Sequence, residues 1–188
     1  MRRIFLLVVL CLTTNISADT PPMSAHQLAE TRLMAEWVGA ADKQHILGDV
    51  YYKGEGVPQD YSEALKWYRL AADQGLPESR YMLGIMCDRG DGTPQDYSKA
   101  VAWYRQAAEQ GYAPAQFELG NNYANGEGVP QNFAEAYLWF NLAATSGYQQ
   151  AREQRDTYAS KLSQEDINAA QKRSTELFES FQNNQPEN

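Results

Sequence analysis

The chain has 188 residues, 43% of them hydrophobic and 12% aromatic, with a formal net charge of −8. That is enough chain for one domain. The acidic balance argues against nucleic acid or an anionic membrane surface as a partner, because the phosphate term that dominates such binding would be repulsive.

At the N-terminus, Arg2 and Arg3 precede an apolar stretch from Ile4 to Leu12 and a polar run closing on Ile16-Ser17-Ala18. This order reads as a secretory signal peptide cut after Ala18. The apolar stretch is too short for a permanent anchor, which needs roughly 20 residues, so no stable membrane span is expected. Loss of the leader removes Arg2, Arg3 and Cys11 and takes the net charge to −10. Cys87 is then left alone, so no intrachain disulfide can form even in the oxidising periplasmic or extracellular space to which the leader points.

Residues 19–40 read as an N-terminal capping element, a lone helix from about Ser24 to Val38 stopped by Gly39. Three copies of a 36-residue pattern follow without insertion or deletion, at about 41–76, 77–112 and 113–147. Leu47-Gly48 recurs as Leu83-Gly84 and Leu119-Gly120, and Trp67 as Trp103 and Trp139. Ala71-Ala72 returns as Ala107-Ala108 and Ala143-Ala144, and Gly75 as Gly111 and Gly147. Exact self-similarity at this period is the signature of a helical repeat array.

Each copy contains two helices, A and B, around a fixed loop. The loop reads Gly54-Glu55-Gly56-Val57-Pro58-Gln59-Asp60, then Gly90-Asp91-Gly92-Thr93-Pro94-Gln95-Asp96, then Gly126-Glu127-Gly128-Val129-Pro130-Gln131-Asn132. The first Gly of each suits the left-handed end of helix A, and Asp60, Asp96 and Asn132 suit the N-cap of helix B. Glu63 and Glu135 sit three residues later, the spacing of a capping box, while Lys99 breaks it in the second copy. In helix B, Ala64, Trp67, Tyr68, Ala71 and Ala72 fall at i, i+3, i+4, i+7 and i+8, one apolar stripe that predicts a buried seam. After Gly147, residues 148–182 read as two C-terminal capping helices, the second capped by Ser163, and 183–188 as a disordered tail.

These motifs resemble the Sel-one-like repeat family, a relative of the tetratricopeptide solenoids. The resemblance rests on the Leu-Gly pair, the Gly-x-Gly-Val/Thr-Pro-Gln-Asp/Asn loop, the Ala-x-x-Trp-Tyr/Phe-x-x-Ala-Ala helix and the trailing Gly, over roughly residues 41 to 151. It implies an all-α fold, a right-handed α-solenoid of helix-turn-helix repeats. It also implies an adaptor role, since members mostly assemble protein complexes and bacterial ones are often exported. Envelope biogenesis, host interaction and toxin neutralisation are among their associations, and an immunity or inhibitor protein is the alternative reading. A branch resembling β-lactamases carries paired cysteines in every repeat. This chain lacks those pairs, which leaves a hydrolase of cell-wall or β-lactam substrates as the more distant alternative.

The residues themselves offer little chemistry. His26 and His45 stand in different helices without a companion at metal-ligand spacing, and Cys87 occupies the column of Tyr51 and Tyr123, as a small buried hydrophobe would. No catalytic residue, cofactor or metal is therefore expected. One face of helix A varies between copies, and the resemblance places that face on the concave side of the solenoid. Tyr52, Tyr81, Ile85, Asp88, Arg89, Phe117 and Asn121 lie there, a mixture suited to holding a protein or peptide partner. The spacing leaves open whether the aromatics Tyr81 and Phe117 face the groove or fill the space between A helices. A monomer is expected.

Overall fold

The computed structural model describes residues 23–183. The leader, Cys11 and the segment after Asn183 lie outside the described residues. Nine α-helices and no strand appear among those described. Helix α1 (Ala25–Leu33) runs into a π-helical turn (Met34–Val38) and stops at Gly39. The repeat pairs are α2 (Ala41–Lys53) with α3 (Tyr61–Asp73), α4 (Pro77–Arg89) with α5 (Tyr97–Ala108), and α6 (Ala113–Asn125) with α7 (Phe133–Thr145). Helices α8 (Gln149–Ala159) and α9 (Gln164–Asn183) complete the chain. Consecutive helices pack on one another from α2 to α8, and this is the helical solenoid that the repeat implies.

The hairpins close on the Leu-Gly pairs. A Cβ on Gly48 would lie 2.4 Å from the ring of Tyr68, on Gly84 2.4 Å from the ring of Tyr104, and on Gly120 2.7 Å from the ring of Phe140. All three rings are buried. The glycine is thus the seat on which the helix B aromatic rests, close enough that any side chain there would have to displace a pinned ring. Small alanines complete the seam: Ala64, Ala71, Ala100, Ala107, Ala136 and Ala143 have no exposed surface.

The loops are anchored in the same way in each copy, with one fewer cap bond in the second. Gly54, Gly90 and Gly126 take φ of 74°, 79° and 78°, where a Cβ would be strained. The Asp60 and Asn132 side chains accept from two backbone N–H groups each, and Asp96 from that of Lys99. The capping box read at Glu63 and Glu135 is not formed. The N-cap N–H that those carboxylates would accept is already donated across the loop, from Asp60 to the Tyr51 carbonyl at 2.9 Å and from Asn132 to the Tyr123 carbonyl at 2.8 Å. Glu63 pairs instead with Lys66 at 3.2 Å, and Glu135 with Arg173 of α9. A reciprocal capping box does form where it was not expected, between Ser24 and Gln27 at the start of α1.

The last helix departs from simple stacking. Helix α9 folds back along α7, where Gln171 donates to the Tyr137 hydroxyl at 2.9 Å and Asn141 to Ser174 Oγ at 2.8 Å. That explains why α7 is apolar on more than one side. Tyr137, Leu138 and Leu142 are buried, whereas the equivalent positions of α3 include Lys66 and the exposed Leu70.

The tryptophan column is uneven for the same reason. Trp67 is covered by the cap residues Leu28 and Ala35, and Trp139 joins the cluster containing Ala170 and Phe181 of α9. Trp103, which the repeat places equally deep, is only half-buried, with the Arg69 guanidinium 4.7 Å above its ring. Replacing Trp139 by Ala is therefore predicted to lower unfolding free energy by about 3–5 kcal/mol, the usual range for a buried aromatic. Trp103→Ala should cost clearly less, as measured by urea denaturation of the two variants side by side.

Candidate functional site

The variable face of helix A is built at the junctions between repeats. At the first junction the Tyr52 hydroxyl donates to Asp91 Oδ2 at 2.8 Å and receives a longer bond, 3.4 Å, from Arg89 Nη1. Burial and the Asp91 carboxylate push the Tyr52 hydroxyl pKa up, so it stays a donor across the ordinary pH range. Beside it, His45 Nδ1 lies 2.9 Å from the buried Ser79 Oγ of α4. Asp49 accepts from the Tyr68 hydroxyl at 2.6 Å and stands 3.7 Å from Lys53 Nζ. This junction is a closed polar network in which each charge has a partner.

The second and third junctions are aromatic. The Tyr81 ring packs 5.9 Å from Tyr104 and 5.4 Å from Tyr112, and the Phe117 ring 5.5 Å from Phe140 and 5.2 Å from Tyr148. Both are half-buried wedges that rest on the seated helix B ring and on the first residue before the next A helix. Ile85 is half-buried one turn after Tyr81, followed by half-buried Asp88 and exposed Arg89. Asn121, one repeat on from Ile85, donates Nδ2 to Glu118 Oε2 at 3.0 Å. Of the residues expected on this face, Tyr52 and Arg89 share a bond, whereas Tyr52 and Phe117 belong to different junctions.

Glu118 is absent from the sequence expectation, although it carries the most unusual charge on this face. It occupies the column of Ile46 and Met82, so an acid stands where the other two copies place an apolar side chain. That substitution was visible in the sequence. Burial raises the Glu118 pKa above the ordinary range; the bond from Asn121 pulls it down, and the nearby Asp88 charge pushes it up again. Asp88 is raised as well, by burial first and then by Glu127, with Arg89 acting against them. Asp88 of α4 and Glu118 of α6 are thus both shifted upward, in each case chiefly by burial.

Cys87 is buried, and burial pushes its thiol upward, with Asp96 adding to the effect. A thiol in that setting is a packing residue rather than a nucleophile. Among the described residues, no group of three or more His, Cys, Asp or Glu side chains gathers as a metal site, and no helix is long and apolar enough to cross a membrane.

The Sel1 repeat pattern matches residues 44–76, 77–112 and 113–148, more than half of the chain. The chain belongs to the Sel1 repeat family. A Sel1 repeat protein from Oxalobacter formigenes is similar in structure, with a TM-score of 0.64 and 33% identity over 69% of this chain and 97% of that one. The protective antigen c5321 of uropathogenic Escherichia coli, which displays an SLR fold, matches at a TM-score of 0.57 and 26% identity, over 86% of this chain and 44% of that one. The immunity protein Pa5087 from Pseudomonas aeruginosa is 19% identical over 88% of this chain and 77% of that one, with a TM-score of 0.40. No curated protein matches. Sel1 repeats are typically non-catalytic protein-interaction scaffolds.

The raised Glu118 pKa has a sign. Between its unfolded and folded pKa values the native state binds more protons than the unfolded one, so the Glu118 contribution to stability is most favourable at low pH and is lost as pH rises through the folded pKa. Glu118→Gln, which keeps an acceptor for Asn121, is predicted to raise the melting temperature at pH 7. The gain should shrink towards pH 4, where the native carboxyl is already neutral, when melts are recorded across that range.

Proposed function

We propose that this Sel1 repeat protein is an exported, non-catalytic adaptor that binds a protein or peptide partner along the helix A face of its solenoid. One observation carries the reading. Extensive helix packing among the described residues runs between consecutive helices, with α9 laid on α7, and none of it lies over the variable side of α2, α4 and α6. On that face lie half-buried aromatic, aliphatic and charged groups rather than the short polar side chains of a solvated surface. Such mixtures, fixed on rigid elements, suit a binding surface.

Export is supported by the cationic start, the short apolar stretch and the small-residue close at Ala18. The mature chain would then begin at Asp19 and act in the periplasm or outside the cell.

A photo-crosslinking residue placed at Ile85 or Asn121, in cells producing the protein at native level, is predicted to give one discrete crosslinked protein. The same residue at Gln106, on the exposed side of α5, should give none. Equal crosslinking from all three positions, or from Gln106 alone, would move the binding surface off helix A.

A further inference from the structure

The N-terminal cap reverses the polarity of the repeat. Gly39 stands in the register of Gly75, Gly111 and Gly147. In that register Leu33 falls where the copies carry Arg69, Arg105 and Asn141, Trp37 where they carry Asp73, Glu109 and Thr145, and Val38 where they carry Gln74, Gln110 and Ser146. Trp37 is 82% exposed, Val38 69% and Leu33 54%, and these are three of the five large apolar side chains exposed among the described residues. The outer face of a solenoid cap is ordinarily polar, and apolar side chains clustered in water mark an interface. The same face carries both a knob and a socket. His26, Ala29, Glu30 and Leu33 surround a shallow depression of about 340 Å³. Their spacing of i, i+3, i+4 and i+7 is that of the four-residue hole that receives a side chain from a facing helix. One turn beyond Leu33, Trp37 stands on the π-helical turn at the end of the same stripe.

We propose that a second copy of this chain covers the stripe, the two caps lying antiparallel about a two-fold axis near Leu33, with Trp37 of each copy seated in the socket of the other. A two-fold contact has to be self-complementary, and this face is. Knob and socket lie to either side of Leu33 along one helix, so the rotation that brings one pair together brings the other together too. Leu33 meets its own counterpart at the axis. Arg32 and Glu36, paired at 3.1 Å within the chain, come alongside Glu36 and Arg32 of the second copy, which makes the charged edge complementary as well. The cap is 14 residues from Ala25 to Val38, a face about 21 Å long. One such face buries less than the roughly 800 Å² per partner of a stable interface, so the dimer forms and dissociates with concentration. The cap itself packs on α2 and Trp67. Pairing through its outer side therefore leaves α4 and α6 open and gives the assembly two copies of the helix A face. The monomer expected from the sequence took no account of how exposed the cap side chains are.

Sedimentation equilibrium of the purified protein, over concentrations on the order of 1 to 500 µM, tests this directly. The weight-average mass should climb from that of one chain towards that of two. Trp37→Ala removes the knob and should weaken association by about tenfold or more, as loss of a central tryptophan does at interfaces. Because Trp37 is exposed in the single chain, that variant should melt at the wild-type temperature in dilute solution, which separates lost pairing from lost folding. Leu33→Cys places a thiol at the axis and should give a disulfide-linked dimer on mild oxidation. Gln106→Cys, on the exposed side of α5, should not.

A mass of one chain at every concentration would overturn the inference, as would a dimer indifferent to Trp37→Ala. Dissociation by Trp37→Ala without a crosslink from Leu33→Cys would overturn the two-fold arrangement. A monomer whose tryptophan emission shifts to the blue on adding phosphatidylcholine vesicles, with the shift lost in Trp37→Phe, would assign the stripe to a lipid surface instead of a second copy.

Discussion

The contact between a helix A glycine and the flat ring of a helix B aromatic governs this molecule. Gly48 under Tyr68, Gly84 under Tyr104 and Gly120 under Phe140 bring two helices closer than any side chain would allow. Each ring then becomes a floor for what lies above it. His45, Tyr81 and Phe117 occupy one column and rest on those three rings at 5.5, 5.9 and 5.5 Å. The variable face of helix A thus inherits its geometry from the buried contact beside it, since each glycine lies three residues after its column residue on the same side of the helix. Precision of this kind is what a binding surface without a deep cavity requires.

The hairpins and their order were legible in the sequence, because Gly, Pro and Asp or Asn carry local conformational information that recurs at 36 residues. The exceptions share a cause: they depend on partners far away in the chain. Glu63 and Glu135 have capping-box spacing, but the backbone N–H they would accept is taken by Tyr51 and Tyr123 carbonyls across the loop. Trp103 matches Trp67 and Trp139 in the repeat, yet the cap turn and α9 cover only the outer two. The fold-back of α9 onto α7 left a trace in Tyr137, Leu138 and Leu142, apolar where α3 carries Lys66 and an exposed leucine. The π-helical turn at Met34–Val38 has no signal in the repeat comparison.

The face itself was half legible. Variation between copies marks the positions, and the structure divides them by job. Tyr81 and Phe117 are wedges between repeats, Tyr52 and Arg89 form a polar clasp, and Asp88 and Glu118 are half-buried acids. Glu118 shows how a repeat protein specialises. The framework columns stay fixed while one copy exchanges an apolar residue for a charge, at a cost in stability that the Trp and Ala seam can absorb. Sites of that kind break a local rule that the rest of the chain obeys, and binding residues are found where such rules are broken.

The ring seated on glycine is tested most directly by a double-mutant cycle on the central repeat, using Gly84→Ala and Tyr104→Leu with urea unfolding as the readout. With the ring present, the added methyl group overpacks a closed contact and should cost about 1–3 kcal/mol. With the ring removed, the same alanine should be harmless or stabilise the helix by up to ~1 kcal/mol. An identical effect of Gly84→Ala in both backgrounds would show that glycine and ring are uncoupled, and would contradict the account.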